Sequence, residues 1–192
     1  MSEQSKRPTT YAFIDSQNLN LGIQRMGWKM DWRRFRQFLN DKYNVSNAYM
    51  FIGYLAENES LYEHMHELGF LVVLKPTVDM MTPREVADTT PPEPGQPVVE
   101  KVAEDKPPVK GNVDADLVLY AMKEIPNYEK AIIVSGDGDF HGLIEYLAQQ
   151  GKLAQVLTPN WQYSSLLKEF ESYIVRLDQQ RRQLEYHDRK KK

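Results

Sequence analysis

Lys130-Ala-Ile-Ile-Val-Ser-Gly-Asp-Gly-Asp-Phe140 decides how this chain is read. An apolar β-branched run stops at a turn that carries two carboxylates, Asp137 and Asp139. Phe140, Leu143, Ile144, Leu147 and Ala148 then recur at helical spacing. The pattern predicts a strand, a tight acidic turn and a helix. In a parallel α/β sheet such a turn lies at the carboxyl edge of the strand, where ligands bind. Two acids are costly to bring together there unless a cation or a substrate uses them.

Working outward, two more acidic sites have the same character. Tyr11-Ala-Phe-Ile-Asp15 is a short apolar run ending on a carboxylate, followed by Ser16-Gln17-Asn18. Lys110-Gly-Asn-Val-Asp-Ala-Asp116 opens a strongly apolar helix. Three acidic sites far apart in sequence, each at a strand end or a helix start, could meet in one cleft. Oxygen ligands of this kind suit Mg²⁺ or Mn²⁺.

Strand-like segments at 10–15, 46–54, 70–75, 130–135, 153–158 and 173–177 alternate with helix-like ones near 18–26, 32–42, 58–68, 113–124, 139–150 and 164–171. Strands separated by helices imply crossovers. The expected fold is α/β, a mostly parallel sheet of five to six strands with helices on both faces. Phe70–Leu74 and Ala131–Val134 are continuously apolar, as strands buried on both faces should be. Seven of the 11 prolines fall between Thr77 and Pro108, so residues 77–109 read as an insertion that forms neither helix nor central strand. It is a candidate lid or protein-docking segment, because it runs into Lys110 and Asp114. The domain is expected to span 10–178. Residues 1–9 read as a flexible N-terminus, and 179–192 as a helix fraying into a solvated basic tail.

The chain has 192 residues, enough for one domain with a sizeable core. Its net charge of −3 gives no global attraction to nucleic acid. With no cysteine, disulfides, thiolate zinc sites and cysteine nucleophiles are excluded. His64, His66, His141 and His187 are scattered and make no zinc set. The polar N-terminus lacks the apolar core of a signal peptide, and no apolar run approaches a membrane span, so a cytoplasmic location without membrane contact is expected.

Each acid has a structural alternative. Asp15 could be the N-cap of the next helix, bonded to the amide of Asn18. Asp114 and Asp116 lie in a first helical turn, where acids favour the macrodipole. Asp114 aligns with Leu117, Val118 and Ala121 and should point inward, where an acid needs a partner. Asp116 aligns with Tyr120 and Lys123 and should be solvated. Asp139 could cap the helix at Phe140. Read as an EF-hand from Asp137, the loop puts His141 at position five and Ala148 at position twelve, which rejects calcium. A P-loop and a Gly-x-Ser-x-Gly elbow are both missing. A Toprim-like site would need Glu at the end of the first strand, and a haloacid-dehalogenase-type phosphatase Asp-x-Asp there; this chain has Asp15-Ser-Gln17.

Asp15-Ser-Gln-Asn18, Lys110-Gly-Asn-Val-Asp114 and Ile133-Val-Ser-Gly-Asp-Gly-Asp-Phe140 together resemble the three motifs of the NYN domain, and more narrowly its bacterial LabA-like branch, within the PIN-like nuclease superfamily. The resemblance covers residues 10 to about 178. It implies a Rossmann-like (PIN-like) sheet, an acidic pocket for Mg²⁺ or Mn²⁺, and metal-dependent endonucleolytic cleavage of RNA. Asp15, Asp114 and Asp137 are then the catalytic and metal-holding acids and Asp139 a supporting ligand. Asn18, Ser135 and Lys110 stand in the substrate shell. Tyr120 occupies a position where some members carry a further acid.

The expected partner is single-stranded or loop RNA; a second copy of the chain, and a protein at the Pro-rich insertion, are further candidates. Lys110, Arg84, Lys75 and Lys152, with Arg33, Arg34 and Arg36 as a second cluster, are the cations available to guide a strand. Trp28 and Trp32 either stack on bases or pack in the core. A catalytically weak RNA-binding or regulatory module that keeps the acidic pocket is the alternative to a ribonuclease.

Overall fold

A computed structural model describes residues 8–75 and 113–187. The Pro-rich insertion, Arg84, Lys110 and the last five residues lie outside that range. Six strands, β1 (Thr10–Asp15), β2 (Val45–Gly53), β3 (Leu71–Lys75), β4 (Lys130–Val134), β5 (Leu153–Thr158) and β6 (Ile174–Arg176), form one sheet in the order 3-2-1-4-5-6. Every pairing is parallel. Among the described residues the helices are α1 (Ser16–Arg25), α2 (Trp32–Tyr43), α3 (Glu59–Glu67), α4 (Asp114–Lys123), α5 (His141–Gln149) and the short α6 (Arg181–Leu184). The expected α/β architecture is the observed one.

Period-two alternation along the central strands divides the core into two layers. Ala12 and Ile14 of β1, with Ile132 and Val134 of β4, face Leu19 and Ile23 of α1 and Phe35 and Leu39 of α2. Phe13, Ala131 and Ile133 point the other way, toward Leu117 and Ala121 of α4 and Leu143 and Leu147 of α5. The run Ala131–Val134 is fully buried because both faces are covered. The run in β3 is not: Leu71 and Leu74 are exposed, since β3 is an edge strand. A continuous apolar run does not reveal where its strand stands in the sheet.

Two other segments differ from expectation. Ser165–Tyr173 is a 3₁₀ run, started by Ser164, whose hydroxyl accepts from Leu166 N, and bent at Phe170. The C-terminal segment is not a solvated tail up to residue 187. Leu184 is fully buried in the α1–α2 layer. Backbone bonds tie its surroundings to the α1–α2 connection, with Asp31 N donating to Leu184 O at 2.8 Å and Tyr186 N to Lys29 O at 2.9 Å. At the other terminus Thr9 is already anchored, its amide donating to Glu129 Oε2 at 2.7 Å.

Candidate functional site

β1 and β4 are neighbours, yet the chain leaves them in opposite directions across the sheet, toward β2 and toward β5. A crevice opens at such a switch point, outside the carboxyl ends of the two strands. The parallel register pairs Ile14 with Val134, so Asp15 and Ser135 are the next residues on each side. Both enter the crevice region from the buried carboxyl end of a central strand.

Hydrogen bonds stitch the two loops together. Asp15 caps α1, its Oδ1 accepting from Asn18 N at 3.0 Å, while Oδ2 accepts from the Ser135 hydroxyl at 3.1 Å. The same hydroxyl accepts from Asp137 N at 3.1 Å. Asn18 Oδ1 accepts from Gly136 N at 2.9 Å, so the side-chain NH₂ is the end of Asn18 that a ligand can use. Asp137 caps the short 3₁₀ turn Gly138–Phe140 by accepting from Asp139 N, a role expected of Asp139. The cap expected of Asp15 is present, and the cap does not remove the carboxylate from the cleft.

Both glycines of Ser135-Gly-Asp-Gly-Asp139 make room for the segment after β5. Gly136 O accepts from Ser164 N at 2.9 Å. A methyl group on Gly138 would come within 2.4 Å of the Ser164 hydroxyl oxygen. The acidic turn is thereby clamped between α1 and the Ser164 segment.

One cavity of about 390 Å³ gathers Asp15, Asp114, Asp137 and Asp139. They come from three distant segments: the end of β1, the start of α4 and the turn after β4. Asp15 is 4% exposed, Asp114 and Asp137 are half-buried, and Asp139 is exposed. Burial pushes the Asp15 carboxyl above its ordinary value; the Asn18 amide and the Ser135 hydroxyl pull it back, and the negative charge of Asp137 adds to the rise. Carboxylate and amide oxygens are the hard donors that a divalent cation such as Mg²⁺ takes. Among the described residues, however, no three His, Asp or Glu side chains lie close enough together to share one ion. The acids share a cavity without forming a finished ligand cage.

The remaining expected residues are placed differently. Ser135, expected to meet substrate, is 1% exposed and committed to Asp15 and Asp137, so it stands behind the acids. Lys110 is outside the described residues. Asp116, expected to be solvated, pairs with Lys75 at 3.2 Å. Lys152 precedes β5 and so sits at the opposite edge of the sheet, donating to Ile125 O and Tyr128 O at 3.1 and 2.6 Å. Arg36 donates to the carbonyls of Gly69, Val45 and Ser46, and Arg34 pairs with Asp31. Trp28 is buried, and the Trp32 ring packs edge-on against Phe35 and Phe70. Tyr120 packs edge-on against Phe51.

One lining cation escaped sequence reasoning. Asn18, Leu21, Gly22 and Arg25 follow one another at helical spacing and line the cavity along one face of α1. Among the described residues Arg25 is the cation of the lining, is exposed, and makes no ion pair. The signal was there: Arg25 stands seven residues, two helical turns, beyond Asn18. Asn160 and Gln162, after β5, complete the wall.

The NYN domain pattern matches residues 9–178, which includes every strand of the sheet. The chain belongs to the NYN domain family. A curated relative is the low amplitude and bright protein LabA of Synechococcus elongatus, 27% identical over 175 residues, covering 88% of this chain and 84% of that protein. A solved structure of a Vibrio parahaemolyticus protein of unknown function superposes with a TM-score of 0.63 at 20% identity, covering 91% of this chain and 96% of that one. That likeness concerns the fold alone. NYN domains are generally nuclease-like. None of the helices among the described residues is long and apolar enough to cross a membrane.

Proposed function

We propose that this NYN domain is a metal-dependent endoribonuclease that cuts single-stranded or loop RNA in the cleft at the β1–β4 switch point. The observation that carries the reading is the meeting of Asp15, Asp114, Asp137 and Asp139 in one cavity from three distant segments. Structural caps account for Asp15 and Asp137 locally, but not for four carboxylates lining the same space.

Mg²⁺ or Mn²⁺ would be held by Asp15, Asp114 and Asp137, with Asp139 supporting. Mg²⁺ keeps several of its waters, so carboxylates that do not crowd together can still hold it. When bound, the ion supplies water activation near neutral pH and neutralises charge on the phosphate. The protein's own part is positional. Ser135 and the Asn18 amide fix both oxygens of Asp15, and the Asn18 NH₂ and the Arg25 guanidinium offer donors to a phosphodiester.

The test is incubation of the full chain with mixed RNA in Mn²⁺ and in EDTA, with Asp137→Asn as control. Cleavage only with Mn²⁺ and only by the unaltered chain is expected. No cleavage with Mn²⁺ refutes the nuclease reading. The lack of a three-acid cluster among the described residues favours one second reading, an RNA-binding or regulatory module that keeps the pocket. Metal-dependent RNA binding without strand scission is its signature.

A further inference from the structure

The chain has three tryptophans, and two of them are absorbed by the α1–α2 core layer. The third, Trp161, is 58% exposed. It lies between Asn160 and Gln162, both of which line the acidic cavity, so it stands on the rim of the cleft. Two other large apolar side chains are exposed nearby. Leu21 lines the cavity and is 44% exposed, and Leu166, whose Cδ1 borders Gly138, is 58% exposed. Scattered exposed leucines need no explanation, but Trp161, Leu21 and Leu166 all stand on segments that border one polar cleft.

The turn that carries Trp161 is built to hold it still. Asn160 is 5% exposed, and its side chain spans two partners: Nδ2 donates to Gly22 O at 2.8 Å, and Oδ1 accepts from Gln162 N at 2.7 Å. The second bond closes a turn with Trp161 at its apex. On α1 the backbone of Gly22 lets Pro159 approach so closely that a methyl group there would lie 2.4 Å from Pro159 Cβ. Arg25 is three residues beyond Gly22 on the same helix face, which brings its guanidinium, unpaired among the described residues, to the flank of this turn. The turn leaves an indole in water beside a guanidinium that has no carboxylate partner among the described residues.

We propose that Trp161 is the stacking platform for a nucleobase of a single-stranded RNA whose phosphate is taken by Arg25, next to the acidic centre; this rests on the reading of the cleft as an RNA site. An aromatic face accepts any base, while duplex RNA keeps its bases inside the stack. The platform therefore selects for strand state and not for sequence. A protein partner is the less favoured occupant, because the lining combines carboxylates for a cation with a lone guanidinium for an anion, the pairing a metal-bound phosphodiester needs.

The probe is a fluorescently labelled 2′-O-methyl uridine dodecamer in Mn²⁺, its integrity checked on a gel, titrated against the full chain by anisotropy. Trp161→Ala is expected to weaken binding roughly five-fold to 150-fold, the span of one base stacking on a ring. Trp161→Phe should retain most of the affinity. An abasic dodecamer and a duplex should bind the unaltered chain and Trp161→Ala equally. Because Trp161 is exposed, the melting temperature of both variants should be unchanged, which separates lost stacking from lost folding. A loss below about five-fold for Trp161→Ala, or an equal loss on the abasic strand, overturns the proposal. So does failure of the unaltered chain to bind the dodecamer. The Mn²⁺ cleavage assay reads the nuclease proposal separately. Cleavage with no dependence on Trp161 sinks only the platform, and Trp161-dependent binding without cleavage sinks only the nuclease.

Discussion

Ser135→Ala offers the sharpest test of how the acids are held. The hydroxyl it removes is buried, donates to Asp15 Oδ2 and accepts from Asp137 N, each at 3.1 Å. Alanine fills nearly the same volume, so packing is preserved and only hydrogen bonding changes. A bond to an ionised group contributes about 1.5–3 kcal/mol. The orphaned Asp137 amide adds about 1 kcal/mol, at the low end because Asp137 is half-buried and water can reach it. Together the loss comes to about 2.5–4 kcal/mol. For a domain of this size that lowers Tm by roughly 5–15 °C.

The loss should depend on pH. The Asp15 carboxyl in the folded chain lies above its ordinary 3.8, so its ionisation works against folding. That penalty is absent below 3.8, where the unfolded chain is protonated too, and is complete above the folded-state value. Ser135 stabilises the ionised form and so limits the penalty. Without it, the gap between the unaltered chain and the variant should be smallest in acid and widen toward neutral pH. Urea unfolding in EDTA from about pH 4 to about pH 7 measures this directly. A gap that stays constant with pH, or a Tm drop under about 2 °C at neutral pH, refutes the assignment of Ser135 as the support of a charged Asp15.

Three further variants test the cavity and the C-terminal segment. Asp114→Asn should abolish Mn²⁺-dependent cleavage and the rise in Tm on adding Mn²⁺, because Asp114 lines the cavity. Asp116→Asn removes only a partly exposed pair with Lys75, should cost at most about 1 kcal/mol, and should leave cleavage largely intact; a dead Asp116→Asn beside an active Asp114→Asn would shift the pocket by two residues. Leu184→Ala should destabilise by about 2–5 kcal/mol, since that side chain is fully buried against α2, and an unchanged melting curve would return the C-terminal segment to solvent.

The sheet and its helices were legible because apolar periodicity changes with the element. Ala131–Val134 reads as a buried strand, and Leu117 and Ala121 read as a helix face. The acids were legible because each ends a strand or opens a helix. The misreadings have one physical root: periodicity reports local structure and not neighbours. Phe70–Leu74 looks like a central strand, but whether β3 has one flanking strand or two is set by chain order across the sheet. Leu184 is one apolar residue in a polar run, held by backbone bonds to residues 29 and 31 that no local pattern announces.

Distance along the chain misled most where cations were concerned. Lys152 is close in sequence to β5, yet it precedes the strand, and in a parallel sheet the residue before a strand lies at the amino edge, away from the cleft. Residues that follow β1, β4 and β5 all lie at the other edge. Asp15, Asp137 and Asn160 obey that rule, and Trp161 follows from it. Arg25 obeys a second rule, helical phase counted from Asn18, which carries the cavity wall two turns along α1 until it meets the turn after β5 at Gly22. Applied together, strand exit and helix phase select Asp15, Asp137, Asp139, the guanidinium and the rim indole from the sequence once the strand order is known. They also remove Lys152, which chain proximity alone had promoted.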